Sequence, residues 1–187
     1  MVWWKKNFST KGGEVETSVN IDMLIKALND THGLKNYDEE ALKPVLSDNN
    51  EVTTTYFKKL TEFYGMFYKK KELFKTITEI AAADWFFNTV TKDEAQSQLE
   101  GRIDNTFLIR VSTTDPKFPF TLSKRSAGKT VHSRIEKIVV AKDKVEYLLK
   151  AKTKSYKAKT LPELVERLKK DRVVGEACSK EEKACEY

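Results

Sequence analysis

The chain has 187 residues, enough for one good core or two small ones, and its 40% hydrophobic and 11% aromatic side chains are an ordinary globular mixture. No apolar run approaches the roughly 18 residues that a membrane span needs, and the amino end lacks the charged-then-apolar order of a secretory signal, so a cytoplasmic location is expected. A net charge of +6 suits an anionic partner without choosing among phosphorylated protein, nucleic acid and membrane surface. The two cysteines, Cys178 and Cys185, lie in a polar carboxyl-terminal stretch that is not expected to fix their geometry, and they read as reduced thiols rather than a disulfide framework.

In chain order, the first part reads helical. Trp3, Trp4 and Phe8 open it, a loop with Gly12 and Gly13 follows, and Ile21, Leu24, Ile25 and Leu28 then recur at helical spacing. Asp38 stands as an N-cap, with Glu39, Glu40 and Ala41 in the first turn behind it. After the polar loop Ser47-Asp48-Asn49-Asn50, the pattern Phe57, Leu60, Phe63, Tyr64, Phe67 predicts a helix over 53–68, and Leu73, Phe74, Ile77 and Ile80 predict another. Helix, loop, helix, repeated, resembles an EF-hand pair. With Val52 in the apolar eighth place of a twelve-residue calcium loop, the first and last places fall on Val45 and Tyr56, where calcium needs carboxylate oxygens. The other loop, from Ser9 to Val19, has only Glu14 and Glu16 as acids. This region is therefore expected to be an all-α packing scaffold that binds no metal, spanning residues 1–83.

The texture changes at Asp84-Trp85-Phe86-Phe87, the expected domain boundary. Thr91 and Glu94 have capping-box spacing, and the helix they open points Ala95 and Leu99 inward and stops at Gly101. The next segment, Phe107-Leu108-Ile109-Arg110-Val111-Ser112, reads as a strand with Phe107, Ile109 and Val111 on one face and Leu108, Arg110 and Ser112 on the other. A lone cation inside an apolar run needs an anion, and the planar guanidinium fork suits a phosphate. Thr113-Thr114-Asp115-Pro116 makes a turn, and Phe120-Thr121-Leu122-Ser123 a second strand. Ser126, Ala127 and Gly128 turn the chain into a third strand over Val131 to Ile135. Val145 to Leu149 supplies another, and Thr160 and Glu163 cap a last helix bearing Leu161, Leu164, Val165 and Leu168. Helix, antiparallel sheet, helix encloses Arg110.

These motifs, in this order from about Trp85 to Lys170, resemble a Src homology 2 (SH2) domain, the phosphotyrosine-recognition module. The resemblance implies an α+β fold for residues 84–170, a central antiparallel sheet flanked by two helices. Trp4-Lys5-Lys6-Asn7-Phe8 and the helices that follow are similar to the EF-hand preceding the SH2 domain of the Cbl tyrosine-kinase-binding region, and the corresponding linker of STAT proteins has a comparable helical form.

The SH2 resemblance also assigns a phosphotyrosine pocket. Arg110 matches the central phosphate ligand, Ser112 can donate to a third oxygen, and Thr113 and Thr114 begin the loop that closes over the phosphate. Lys92 stands where the family usually has arginine, Arg134 lies against the ligand's ring, His132 braces the pocket, and Thr121 faces it from the neighbouring strand. Lys124 and Lys129 read as solvated charges. No cofactor is implied. The expected function is a monomeric, non-catalytic adaptor that binds tyrosine-phosphorylated proteins or peptides. The alternatives are a STAT-like or Cbl-like regulator fragment and a basic nucleic-acid-binding protein. Residues 171–187 read as a polar, flexible tail, and its glutamates resemble the export signal of bacterial effectors delivered into host cytoplasm.

Overall fold

A computed structural model describes residues 2–47, 49–88, 90–112, 115–141, 144–151 and 154–180. The chain divides into two compact units, Met1–Ala82 and Ala83–Tyr187.

The first unit contains α1 (Val2–Asn7), β1 (Ser18–Asn20), α2 (Ile21–His32), α3 (Glu39–Leu46), β2 (Glu51–Thr53), α4 (Thr54–Tyr64) and α5 (Lys71–Ala81). Local chemistry sets the helix ends. The Asn20 side chain accepts from the Asp22 N–H, Asp38 from Ala41 and Thr53 from Tyr56, so each satisfies a donor that the first turn leaves orphaned. Gly33 closes α2 at φ +60° and Gly65 ends α4 at φ +79°, left-handed conformations that glycine adopts without a Cβ penalty. The break at Gly65 shortens the helix expected over 53–68, although Phe67 beyond it is still fully buried.

The expectation of an all-α unit is corrected here, because β1 and β2 pair antiparallel with Val19 opposite Val52, both buried. Three-residue strands are too short to show an alternating pattern in the sequence. The loop before β1 folds on itself: Ser9 bridges Val15, the Thr10 N–H donates to the Glu14 carbonyl, and the Trp4 indole N–H donates to the Glu16 carbonyl at 2.7 Å. Trp4, Phe57, Phe67 and Phe74 fill the centre of this unit, with the Trp4 and Phe57 rings 5.0 Å apart.

The second unit contains β3 (Phe86–Phe87), α6 (Lys92–Leu99), β4 (Phe107–Val111), β5 (Phe120–Ser126), β6 (Lys129–Ala141), β7 (Lys144–Lys150), β8 (Ser155–Ala158) and α7 (Leu161–Lys170). The strands form one six-stranded sheet in sequential order, antiparallel throughout except for the parallel β3–β4 pair. Ile109 opposite Leu122, and Phe120 opposite Ile135, belong to one apolar face. On β7 and β8, Leu149 and Tyr156 extend it, and α7 packs along these two strands with Leu161, Leu164, Val165 and Leu168 buried. On the other face, Ala95 and Leu99 of α6 form a cluster with Phe87, Leu108 and Cys178. The sheet is thus covered on both sides, and the Arg110 face is the one that α6 covers.

The flexible tail expected after residue 170 is corrected over its described part. The Gly175 N–H donates to the Asn105 carbonyl, the Phe107 N–H to the Glu176 carbonyl and the Cys178 N–H to the Phe107 carbonyl, and Ala177 bridges Phe107 in parallel. Val174 is 2% and Cys178 1% exposed, so this cysteine has a fixed and buried place. The cause is β4. Phe107 to Ile109 are fully buried, so the outer backbone edge of the strand needs partners. Residues 85–88 provide them at Ile109 and Val111, and residues 176–178 at Phe107. Residues 181–187, which hold Cys185 and three of the tail glutamates, lie outside the described residues.

Candidate functional site

Strand register builds the site. Arg110 pairs with Thr121, and Thr121 with Arg134, so the three lie in one rung across β4, β5 and β6. One rung further along the same face, Leu108 pairs with Ser123, and Ser123 with His132. Directly opposed side chains stand about 5 Å apart at Cβ, so these two rungs gather two guanidinium groups, two hydroxyls and an imidazole on a patch of roughly 10 Å. Thr121 and Ser123 are buried, Arg110 and His132 are half-buried, and Arg134 is exposed. The patch therefore grades from a polar floor to an open rim.

The floor contains groups lacking partners. Ser123 Oγ and His132 Nδ1 are joined by a hydrogen bond of 2.8 Å, which fixes the imidazole ring. Its other nitrogen, Nε2, and Arg110 Nε are both buried without a hydrogen-bond partner among the described residues. Both atoms have hydrogen-bonding capacity that the neighbouring described side chains leave unused. Burial lowers the Arg110 pKa, yet a guanidinium stays charged at any physiological pH. The His132 pKa is also lowered, first by burial, then by the charges of Arg110 and Lys92, with Asp93 opposing. His132 is accordingly neutral at pH 7, and the positive potential of the patch comes from Arg110, Lys92 and Arg134.

Lys92 is the first residue of α6. A complete capping box holds that end of the helix: the Glu94 N–H donates to Thr91 Oγ1 at 3.2 Å, and the Thr91 N–H to the Glu94 carboxylate at 2.8 Å. Besides burial and Arg110, the Lys92 charge is one of those that lower the His132 pKa. Ser112 follows β4, two residues beyond Arg110, and its N–H donates to the Pro119 carbonyl at 2.8 Å, closing the neck of the β4–β5 loop. Thr113 and Thr114 lie outside the described residues.

Other residues differ from expectation. Lys124 is not a solvated charge, since its ammonium donates to the Val173 carbonyl at 2.7 Å and helps dock the segment that follows α7. Ser123 was not singled out in the sequence, although its alternation with Thr121 puts it on the Arg110 face. Phe118, in the turn before β5, belongs to no periodic pattern in the sequence. It precedes β5 by two residues, and its ring lies 5.7 Å from the Arg134 guanidinium carbon.

The second unit is thus a sheet covered on both faces by helices, with a half-buried arginine in a basic patch on the face that α6 covers. Residues 85–168 match the family model described as the SH2 domain. This segment is an SH2 domain, the phosphotyrosine-binding module of signalling proteins.

Among curated proteins, the chain is 29% identical over 178 residues to the dual specificity protein kinase shkD of Dictyostelium discoideum, a match covering 88% of this chain and 23% of the kinase. It is 33% identical over 90 residues to shkE of the same organism, and 38% identical over 64 residues to the mouse suppressor of cytokine signaling 6, covering 13% and 12% of those proteins. The chain thus spans about a quarter or less of the length of these relatives. Because the shkD match takes in 88% of the chain, it includes part of the helical unit as well as the SH2 domain. Among solved structures, the SH2 domain of the Monosiga brevicollis CRK/CRKL homologue superposes with a TM-score of 0.42 at 18% identity, over 53% of this chain and 89% of that one. Among the described residues, no helix is long and apolar enough to cross a membrane.

Proposed function

We propose that this chain is a non-catalytic adaptor that binds tyrosine-phosphorylated proteins through the Arg110 patch, acting as a monomer in the cytoplasm. One observation supports the reading: Arg110 Nε and His132 Nε2, on neighbouring rungs of one sheet face, are both buried without a hydrogen-bond partner among the described residues. A phosphate there receives the Arg110 fork on two oxygens and the Ser112 hydroxyl on a third. Lys92 adds charge from the helix end. Lysine at position 110 would not replace the fork, because an ammonium is a point charge without planar, paired donors. Thr121 and His132 face the phenol ring from the sheet, and Arg134 covers the ring. A phosphoserine side chain is too short to bring its phosphate from a backbone at the rim to this floor, so phosphotyrosine is the ligand selected.

For residues 1–83 we propose an EF-hand-like pair that serves as a packing scaffold without metal. The Val19–Val52 pairing, each residue just before a helix, supports the likeness. The Glu14 and Glu16 carbonyl oxygens are already used by the Thr10 N–H and the Trp4 indole, which leaves that loop poor in free ligands for a hard cation.

The test is fluorescence titration of the intact chain with one labelled peptide in three forms: unphosphorylated, phosphoserine and phosphotyrosine. Binding confined to the phosphotyrosine form is the expected result. Equal binding of all three, or none, would refute the reading.

A further inference from the structure

The β4–β5 loop carries an aromatic side chain that the pocket assignment leaves unused. Phe118 is held by the hydrogen bonds of its neighbours. Its own N–H donates to the Asp115 carbonyl at 2.9 Å, and the Lys117 N–H donates to the Asp115 carboxylate at 2.9 Å. The Lys117 carbonyl accepts from the Lys137 N–H at 2.7 Å, and the Lys117 ammonium lies 3.2 Å from Glu136, so the loop is fastened to β6 from both backbone and side chain. The Phe118 ring thus has a fixed place, with Lys117 Nζ 5.5 Å and Arg134 Cζ 5.7 Å from its centroid.

Arg134 has few other anchors. It is exposed, and among the described residues no carboxylate lies within ion-pair distance of it, since Glu136 is taken up by Lys117 and Lys150. An arginine on an open rim would otherwise sample many rotamers. The ring restricts it by a cation–π contact, with Cζ 5.7 Å from the ring centroid. Arg134 stands in the same rung as Arg110, so the restricted guanidinium belongs to the Arg110 patch.

We infer that Phe118 is a positioning residue: it holds Arg134 flat as a shelf for the phenol ring of the ligand, giving a stack of Phe118, guanidinium and phosphotyrosine ring. This rests on the phosphotyrosine reading and adds to it the means by which this chain senses the ring apart from the phosphate. Ordering the guanidinium beforehand removes part of the entropy cost of binding. Loss of the shelf should reduce affinity about threefold to tenfold, within the range of one partly exposed cation–π contact.

The experiment is a double-mutant cycle on the intact chain, using Phe118→Leu, Arg134→Ala and the pair. The readouts are affinity for the labelled phosphotyrosine peptide and the inhibition constant of inorganic phosphate, which occupies the floor but has no ring. The expected result is that Phe118→Leu weakens peptide binding, leaves the phosphate constant unchanged and adds nothing on the Arg134→Ala background, while Phe118→Tyr restores affinity. Should the leucine variant unfold, Phe118→Met keeps bulk without a ring and takes its place. Wild-type affinity in the ring-less variant, additive losses, or equal losses for peptide and phosphate would overturn the inference. Those outcomes, with phosphotyrosine selectivity intact and lost on Arg110→Ala, defeat the shelf alone. No selective binding by the wild type defeats the phosphotyrosine reading and the shelf with it.

Discussion

The packing of the segment after α7 predicts a stability effect where the sequence pattern alone predicts none. Val174→Ala removes two methyl groups from a side chain that is 2% exposed, and at about 0.8 kcal/mol for each buried carbon plus a cavity contribution it should cost about 2 kcal/mol. Cys178 is 1% exposed within the cluster of Phe87, Ala95, Leu99 and Leu108, and its thiol donates to the Gln98 carbonyl. Cys178→Ala should cost about 1 kcal/mol more. Together the two should lower the melting temperature of the SH2 unit by about 12 °C, taking about 4 °C for each kcal/mol in a unit of this size. Urea and thermal unfolding on a Cys185→Ser background measure both effects, and that background leaves Cys178 as the reporter thiol. Its reaction with a thiol reagent should be slow in the native protein and fast in denaturant. A double variant with wild-type stability, together with native thiol reactivity equal to that of the denatured chain, would refute the account of how β4 is closed.

Three further outcomes are expected. The lowered pKa of His132 makes stability depend on pH: its ordinary value is 6.5, so between 6.5 and the lower folded value the unfolded chain binds more protons than the folded one. Stability is complete above 6.5 and falls as pH drops through that window. His132→Gln should reduce this slope in urea midpoints measured from about pH 7.5 to about pH 5.5. Thr91→Ala breaks the capping box at the Lys92 end of α6 and should cost about 1 kcal/mol in urea unfolding, whereas Thr91→Ser should cost only a few tenths. Calcium at about 1 mM should leave the melting temperature of the helical unit unchanged, and a saturable rise would contradict the metal-free reading.

Much of the site was legible because strand alternation is unambiguous where a polar residue interrupts an apolar run. Arg110 between Ile109 and Val111 gave both faces at once, and the register places Thr121 and Arg134 in its rung. The capping box at Thr91 and Glu94 was legible for a similar reason, since two side chains three apart complete it without tertiary help. The elements that were missed depend on partners distant in sequence. Val174 and Cys178 are isolated among charges, so no period reveals them, and what buries them is the unpaired edge of β4 some seventy residues earlier. Strand β8 hides its buried Tyr156 and Ala158 between lysines that face away. The β1–β2 pair joins two three-residue segments more than thirty positions apart. Phe118 is a loop residue whose significance lies in the strand it touches.

The most direct test of the central claim is titration of the phosphotyrosine peptide into Arg110→Ala and Arg110→Lys beside the wild type. Removing one side of a half-buried charge pair should cost about 2 to 5 kcal/mol, a loss of about thirtyfold to several thousandfold. Lysine should recover little of it, for want of the guanidinium fork. Both variants binding within about threefold of the wild type, with folding intact, would mean that the phosphate is held elsewhere and that Arg110 is not the floor of the site.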